Sequence, residues 1–266
     1  MSKIKKFKIT KYKKEIKPIL QMKNISKRYG QQNVLQDLNM NIMPSSITGL
    51  LGPNGSGKTT IFNILLGIIK MDSGALFINH DGKKNIDIGS LPIHQRCFEN
   101  QIKFIPQHDS LFRNMSVVDN LKAIAEIVLK DKRQIEETVE NLLSEFSLTG
   151  QRNTLAYNLS GGQKKKVAIC RALIGKCRIM VLDEPLSNID PITIEMIKDV
   201  IVKLQLTRSI TILISDHAFE NVLQIADEIK ILSDGYICSE GPPSSVVKDA
   251  RAREKYFGLN LSLIHI

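Results

Sequence analysis

The chain has 266 residues, 42% hydrophobic and 24% charged, which is enough sequence for one large domain or two small ones. This composition is typical of a globular protein and excludes disordered, collagen-like and disulfide-rich classes. The four cysteines lack the spacing of zinc ligands. The sequence contains no run of about 18 apolar residues, so it predicts no membrane span. The net charge of +10, from 37 Lys and Arg against 27 Asp and Glu, is unusual. By itself it favours nucleic acid or an anionic membrane as a partner.

Most of this charge lies in residues 1–18, where eight lysines and one glutamate give a net +7 and leave +3 for residues 19–266. The rest of the chain therefore carries too small an excess of basic residues to predict binding to nucleic acid. We expect residues 1–18 to form a mobile, solvated basic tail. Contact of the same lysines with anionic lipid is the alternative. Residues 259–266 are expected to form a short C-terminal tail.

The predicted elements begin with a β-rich segment at residues 19–42, broken by a turn at Tyr29-Gly30. A buried strand at residues 46–51 follows. It runs through a glycine-rich loop into an apolar helix that we expect to end near Ile69. This order of strand, glycine loop and helix is the context that a phosphate-binding loop requires.

The middle of the chain has helical periodicity. Ser116 and Asp119 form a capping-box pattern at the start of one helix, and a second helix is predicted after Asp131. From residue 178 onward, predicted strands (178–182, 210–215, 228–232) alternate with predicted helices (192–206, 218–226), as in βαβ units. The sequence therefore predicts an α/β fold with a mostly parallel core sheet, a β-rich N-terminal subdomain and a helical insertion near residues 108–165.

Residues 52–59 match the phosphate-loop pattern G-x-x-x-x-G-K-[ST] between the predicted strand and helix. Glycines let the backbone wrap so that N–H groups point at phosphate oxygens, and the helix N-terminus adds its positive end. In this pattern Lys58 reaches the β- and γ-phosphates, and the Thr59 hydroxyl binds Mg²⁺. The predicted nucleotide-binding residues of this segment are Gly52, Pro53, Asn54, Gly55, Ser56, Gly57, Lys58, Thr59 and Thr60.

An apolar predicted strand ends in the acid pair Asp183-Glu184. A phosphate loop needs a carboxylate for the metal and a group that prepares the attacking water. We predict that Asp183 holds Mg²⁺ through water and that Glu184 polarises the nucleophilic water.

A second glycine-rich helix start precedes this acid pair, in the order Leu159-Ser160-Gly161-Gly162-Gln163. It offers a second anion site, with Ser160 as a hydroxyl donor. One nucleotide hardly needs two such cradles from one chain. Two chains arranged head-to-tail would use both anion sites, because residues 160–163 of each chain would contact the nucleotide bound to the other.

Taken together, these motifs resemble the ATP-binding cassette (ABC) ATPase family over residues 20–240. Tyr29 resembles the aromatic residue that stacks on adenine, and Gln107 the glutamine that contacts Mg²⁺ and water. Asp190 resembles the aspartate that crosses the dimer, and His217 the histidine that contacts the γ-phosphate. The resemblance implies ATP and Mg²⁺ as cofactors, the catalytic residues Lys58, Gln107, Glu184 and His217, and the metal-binding residues Thr59, Gln107 and Asp183.

One phosphate loop and one copy of the segment at residues 159–163, here called the signature, imply a homodimer or a close heterodimer. Because no span is predicted, transport would need separate multi-span membrane subunits. The resemblance places these in the groove between the Gln107 loop and the helical insertion. The chain would then be peripheral, at the cytoplasmic face of the inner membrane, with residues 19–258 as its ATPase domain.

Within the family, residues 91–96, 107–121, 183–191, 241–243 and 255–259 resemble the ATPase subunits of lipopolysaccharide-export transporters. Importers of branched-chain amino acids have closely similar ATPases. A soluble ABC ATPase of iron–sulfur cluster assembly is a further alternative. Soluble ABC ATPases that serve nucleic acid or ribosomes typically have two cassettes or a long coiled-coil insertion, and the sequence shows neither feature. The chain departs from the expected pattern at Lys164-Lys165-Lys166, where an arginine-rich run is usual, and at Ser187-Asn188.

Overall fold

The computed structural model describes residues 16–108 and 110–258. The expected basic tail lies outside the described residues up to position 15, as does the expected C-terminal tail at 259–266. The strands are β1 (Leu20–Tyr29), β2 (Gln32–Ile42), β3 (Ile47–Leu51), β4 (Ser73–Ile78), β5 (Ile86–Asp87), β6 (Ile102–Ile105), β7 (Ile179–Asp183), β8 (Thr211–Ser215), β9 (Glu228–Ser233) and β10 (Tyr236–Gly241). The α-helices are α1 (Lys58–Leu66), α2 (Val117–Val128), α3 (Lys132–Glu145), α4 (Gly161–Leu173), α5 (Pro191–Arg208), α6 (Phe219–Ile225), α7 (Pro243–Val246) and α8 (Ala250–Ala252).

The strands form two sheets. A four-stranded antiparallel sheet has the order β2–β1–β4–β5, and a six-stranded sheet has the order β10–β9–β3–β8–β7–β6. Five strands of the larger sheet run parallel, and β10 pairs with β9 in the antiparallel direction. The predicted α/β fold with a mostly parallel core sheet and a β-rich N-terminal part is confirmed.

Helix α1 packs between the two sheets. Its Phe62 and Leu65 belong to one buried apolar cluster with Met22 of β1 and Val181 of β7. Successive residues of a strand point to opposite faces, so Leu182 of β7 joins a second cluster on the other face. Apolar residues of α2 to α6 complete that second cluster. The larger sheet is thus buried on both sides.

Both predicted helix starts in the middle of the chain are confirmed. The Ser116 hydroxyl accepts a hydrogen bond from the Asp119 N–H at 3.1 Å where α2 begins. Asp131 accepts one from the Gln134 N–H at 2.8 Å where α3 begins. Both helices bury their apolar faces in the cluster that contains Leu182.

Helix α1 ends at Leu66, earlier than the predicted end near Ile69. Gly67 stops it by adopting a left-handed backbone with a φ of +77°, a conformation that glycine adopts without steric penalty. A Cβ atom at this position would also lie 2.9 Å from Nε of Arg96. Gly67 is the signal in the sequence for this ending, and the apolar residues at 68 and 69 concealed it.

Among the helices of residues 16–108 and 110–258, none combines the length and apolar character that crossing a bilayer requires.

The Arg96 side chain stabilises the C-terminal end of α1. It is 3% exposed, and its guanidinium donates to the carbonyl oxygens of Ile64 (2.5 Å), Leu65 (3.0 Å), Leu91 (2.7 Å) and Gly89 (2.7 Å). Burial lowers the pKa of this guanidinium. The carbonyl acceptors and the negative end of the helix dipole offset that cost.

We predict that Arg96→Met lowers the free energy of unfolding by about 3 kcal/mol, because buried carbonyl groups lose their donors. Urea denaturation followed by circular dichroism measures this value. Arg133→Met is the matched control, since the Arg133 side chain is 88% exposed and pairs with Glu137 at the surface. It should cost less than about 0.5 kcal/mol. Equal losses in the two variants would contradict the assigned role of Arg96.

Candidate functional site

The carboxyl ends of β3, β8, β7 and β6 meet at one edge of the larger sheet, because these strands are parallel and adjacent in that order. β3 leads into the glycine-rich loop at residues 52–57, and β6 leads to Gln107. β7 ends at Asp183, and β8 leads to His217. The topology therefore gathers four of the predicted site segments at this edge.

A cleft of about 280 Å³ lies at this edge. We refer to it as the phosphate cleft. It brings together ten of the predicted site residues, which line it with Val34: Asn54, Gly55, Ser56, Gly57, Lys58, Thr59, Thr60, Asp183, Glu184 and His217.

The loop before α1 has the geometry of an anion cradle. Gly57 has a φ of +108°, and a Cβ atom at Gly52 would lie 2.1 Å from the Leu232 carbonyl oxygen, so both positions require glycine. α1 begins at Lys58 with no side-chain cap and no acidic residue in its first turn. The first N–H groups of a helix have no partner within the helix. This end of α1 is therefore suited to a negatively charged ligand.

Ser56 shows that the cleft fits a ligand with hydrogen-bonding oxygens. Its side chain is 8% exposed, and within the described residues its Oγ has no hydrogen-bond partner. A buried polar atom without a partner costs about 1–3 kcal/mol. A phosphate oxygen in the cleft would satisfy it.

The Lys58 ammonium is buried at the same end of the loop. Its Nζ donates to the carbonyl oxygens of Gly52 (2.7 Å) and Pro53 (3.0 Å). Burial lowers the pKa of Lys58, and the carboxylates of Glu184 and Asp183 partly oppose this change. Neutral carbonyl groups solvate the ammonium but do not balance its charge, so an anion in the cleft would stabilise it.

The Asp183 carboxylate is 8% exposed and is held by β8. Its Oδ1 accepts a hydrogen bond from the Ser215 hydroxyl at 2.7 Å, across the paired positions Asp183 and Ser215 of the two strands. The strand register therefore fixes this carboxylate on the floor of the cleft.

Two predicted site residues hold both carboxylate oxygens of Glu184. Nε2 of Gln107 donates to Oε2 at 2.5 Å, and Nε2 of His217 lies 2.7 Å from Oε1. The backbone of Glu184 has a φ of +49°, rare for residues other than glycine, and its N–H donates to the Ser215 carbonyl at 2.8 Å. Gln107, Glu184 and His217 thus meet, although more than 70 residues separate the first from the second.

A second cleft of about 320 Å³ borders the phosphate cleft, and the two share Val34 and residues 54–56 in their linings. Polar residues of β2, of the end of β9 and of the β9–β10 turn form much of its wall, namely Gln32, Asn33, Gln36, Ser233 and Asp234. Sequence reasoning did not identify these residues, because the turn lies about 200 positions away from β2.

Tyr29 lies at the end of β1 and is not part of the lining of either cleft. Its ring is 47% exposed, and Nζ of Lys27 lies 5.5 Å from the ring centroid. Asp72 holds this lysine in an ion pair at 2.7 Å. The ring is therefore fixed by a cation while much of its surface remains accessible.

The structure does not bring residues 160–163 to the phosphate cleft of the same chain. They begin α4, where the Ser160 hydroxyl accepts from the Gln163 N–H (3.3 Å) and the Gln163 side chain accepts from the Ser160 N–H (3.0 Å). Asp190 is also absent from the lining of the cleft. It caps α5 by accepting from the Thr193 N–H at 3.0 Å, and hydrogen bonds from Thr193 lower the pKa of Asp190.

Sequence reasoning missed Asp216, which organises the loops beside the cleft. Its carboxylate accepts from the N–H groups of Leu186 (2.8 Å) and Ala218 (3.0 Å) and from the Ser187 hydroxyl (3.2 Å). Its position directly before His217 was the only signal in the sequence, because its partners at 186 and 187 lie about 30 residues earlier.

In the part of the chain that the structure describes, no cluster of three or more His, Cys, Asp and Glu side chains could hold a metal ion. Mg²⁺ in phosphate chemistry is bound through one or two carboxylates together with substrate phosphates. Thr59 and Asp183, which line the same cleft, are a donor set of that kind.

The sequence profile of the ABC transporter family matches residues 35–187. The chain is 37% identical over 240 residues to the lipopolysaccharide export system ATP-binding protein LptB of Acidithiobacillus ferridurans. That alignment covers 90% of this chain and 97% of the relative.

Solved structures are similar over the same range. A nucleotide-free ATP-binding cassette of an ABC transporter superposes with a TM-score of 0.80 at 28% identity, covering 91% of this chain and 99% of the other. A dimeric ATP-binding cassette bound to ADP and Pi, in a post-hydrolysis state, gives a TM-score of 0.73 at 25% identity, covering 84% and 98%. The family match spans more than half of the chain, and the cleft fits a phosphate. The chain therefore belongs to the ABC transporter family, as an ATP-binding cassette that hydrolyses ATP.

Proposed function

We propose that the chain is the ATPase subunit of a membrane transporter that exports lipopolysaccharide. The observation that carries this proposal is the 37% identity, over nearly the full length of both proteins, to a relative that is named for lipopolysaccharide export. An amino-acid importer ATPase and the ATPase of iron–sulfur cluster assembly are the alternatives that an experiment must separate.

In the proposed site, the loop at residues 52–57 and the first turn of α1 hold the β- and γ-phosphates of ATP. Lys58 balances their charge, and Ser56 donates its unpaired hydroxyl. Glu184 accepts the proton of the attacking water, while Gln107 and His217 fix both of its oxygens. Thr59, Asp183 and Gln107 would hold Mg²⁺, which offsets the negative charge of the β- and γ-phosphate oxygens when bound.

The proposed active form is a head-to-tail homodimer. Residues 160–163 and Asp190 lie away from the phosphate cleft of their own chain, so they are available to complete the site of a partner. The dimeric cassette at 25% identity supports this arrangement. We further propose that residues 19–258 form the ATPase domain, with a helical subdomain at about residues 108–165, and that adenine stacks on Tyr29.

We propose that membrane subunits dock beside the Gln107 loop, at the cytoplasmic face of the inner membrane. Two large apolar side chains of that region are exposed, Phe98 (54%) and Phe112 (45%). The Arg171 guanidinium lies 4.7 Å from the Phe112 ring centroid and so fixes the position of this ring. The lysines of residues 1–18 would add contact with anionic lipid.

For Glu184→Gln we predict normal MgATP binding, ATP-dependent dimerisation, and a kcat at least about 100-fold lower, because the general base is lost. Steady-state phosphate release and size-exclusion chromatography measure these effects. Glu137→Gln is the control, since the Glu137 side chain is 62% exposed and distant in sequence from the site. Near-normal turnover of Glu184→Gln would contradict the assignment of the base.

For Lys58→Met we predict loss of nucleotide binding. Saturating MgATP should raise the thermal midpoint of the natural protein by about 5–10 °C, because the ligand binds only the folded state. It should not raise the midpoint of the variant. Lys70→Met, which removes an exposed lysine, should keep the full shift. An equal shift in the Lys58 variant would show that the nucleotide binds elsewhere.

The proposed export function predicts that the tagged chain co-purifies with multi-span membrane proteins from detergent extracts. It also predicts that producing Glu184→Gln in the cells of origin blocks the arrival of lipopolysaccharide at the cell surface. Phe112→Ser should lose the membrane proteins and keep ATPase activity, whereas Ile127→Ser, at an exposed position on α2, should keep both. Recovery of an amino-acid permease or of soluble iron–sulfur scaffold proteins would overturn lipopolysaccharide export.

A further inference from the structure

Lys165 connects the signature helix α4 to the two residues that prepare the attacking water. It is the fifth residue of α4 and is half-buried. Its Nζ donates to the carbonyl oxygen of Gln107 at 3.1 Å and to the carbonyl oxygen of Glu184 at 3.4 Å. One ammonium group thus binds the backbones of two residues that follow different strands.

Lys165 provides one of two connections between Gln107 and Glu184. β6 and β7 are paired, with Ile105 opposite Leu182, so Gln107 and Glu184 emerge side by side. Their side chains are connected directly, because the Gln107 side chain donates to the Glu184 carboxylate at 2.5 Å. Their main chains are connected by Lys165, which donates to both carbonyl oxygens. A shift of Lys165 would therefore change the distance between the glutamine and the carboxylate.

The backbone of Glu184 depends on such support. Its left-handed φ of +49° is a conformation that residues other than glycine rarely adopt. The Ser215 carbonyl fixes its N–H at 2.8 Å, and Lys165 contacts its carbonyl oxygen. The two sides of this residue are thus held by β8 and by α4.

The position of α4 is in turn set at its first turn. A Cβ atom on Gly162 would lie 2.1 Å from Cγ2 of Thr193, and one on Gly161 would lie 2.9 Å from Cγ2 of Ile189. The start of α4 therefore lies close to the first turn of α5 and to Ile189, which precedes that helix. Lys165 lies about one helical turn further along, so a movement of the signature also moves its ammonium.

We propose that Lys165 is a positioning residue that aligns Glu184 and Gln107 for hydrolysis according to where α4 sits. The inference rests on the proposed function, in which residues 160–163 contact the nucleotide of the partner subunit. The binding of residues 160–163 to the partner's ATP then sets the geometry of Glu184 in the chain that carries those residues. It does so through Lys165, which is not part of the lining of the phosphate cleft.

The adjacent lysine provides a matched control. Lys166 also donates to a backbone carbonyl, at 3.2 Å, but its acceptor is Phe146, at the C-terminal end of α3. Lys166→Met removes the same charge and the same kind of hydrogen bond from the same helix. It leaves Gln107 and Glu184 untouched.

The test compares Lys165→Met with Lys166→Met in the full-length chain, with MgATP as substrate. For Lys165→Met we expect a kcat about tenfold lower, because the carbonyl oxygens of Gln107 and Glu184 lose the donor that they share. KM and the ligand-free thermal midpoint should stay close to the natural values. Lys165→Arg should recover most of kcat, because its guanidinium also reaches two carbonyl oxygens. Lys166→Met should keep a natural kcat.

Equal kcat values for Lys165→Met and Lys166→Met would overturn the inference, as would a fall in the thermal midpoint that accounts for the lost activity. If the Met variant does not fold, Lys165→Ala decides on the same criterion, because it also removes the donor and alanine favours a helix. Glu184→Gln with Lys165→Met should still form the ATP-dependent dimer, which places the defect after dimerisation. Normal turnover of Glu184→Gln alone would instead refute the proposed site. A failure of the proposed function can therefore be distinguished from a failure of the inference about Lys165.

Discussion

The parallel pairing of β3, β8, β7 and β6 is the constraint on which the site depends. Parallel strands place their carboxyl ends on one edge, so the loops that follow them meet although they are far apart in sequence. The register decides which side chains face one another, as with Asp183 opposite Ser215. A slip of one residue would turn Asp183 to the opposite face. The buried apolar strands therefore fix the geometry of the cleft as well as the fold.

Electrostatics then select the ligand. The phosphate cleft presents a buried ammonium at Lys58, a helix N-terminus without a cap and an unpaired hydroxyl at Ser56, and all three favour an anion. Asp183 and Glu184 in the same cleft would repel that anion. A divalent cation held by Asp183 would offset this repulsion. The mixture of donors and acids is thus suited to a polyphosphate with a divalent cation and poorly suited to phosphate alone.

Local patterns in the sequence predict features whose cause is local. The start of α2 at Ser116 and of α3 at Asp131 followed from capping, and the phosphate loop followed from consecutive glycines. The end of α1 was predicted three residues too late, because the apolar residues after Gly67 continue the helical pattern although Gly67 itself is a stop signal. The contacts of Asp216 and of the β9–β10 turn depend on tertiary packing over about 30 to 200 positions, which spacing does not reveal. The roles of Gln107 and His217 came from the family resemblance, and the structure shows how near they lie to Glu184.

The three consecutive lysines after the signature show why charge counts mislead. In the linear sequence, Lys164-Lys165-Lys166 has the composition of an anion-binding patch. In the structure, Lys165 binds the carbonyl oxygens of Gln107 and Glu184, and Lys166 binds that of Phe146. Those two ammonium groups form hydrogen bonds within the subunit, and each connects α4 to a different neighbouring segment. In the proposed dimer, a movement of α4 would therefore reach the loops of Gln107 and Glu184. Residues 160–163 and Glu184 would then respond together, although they would contact different nucleotides.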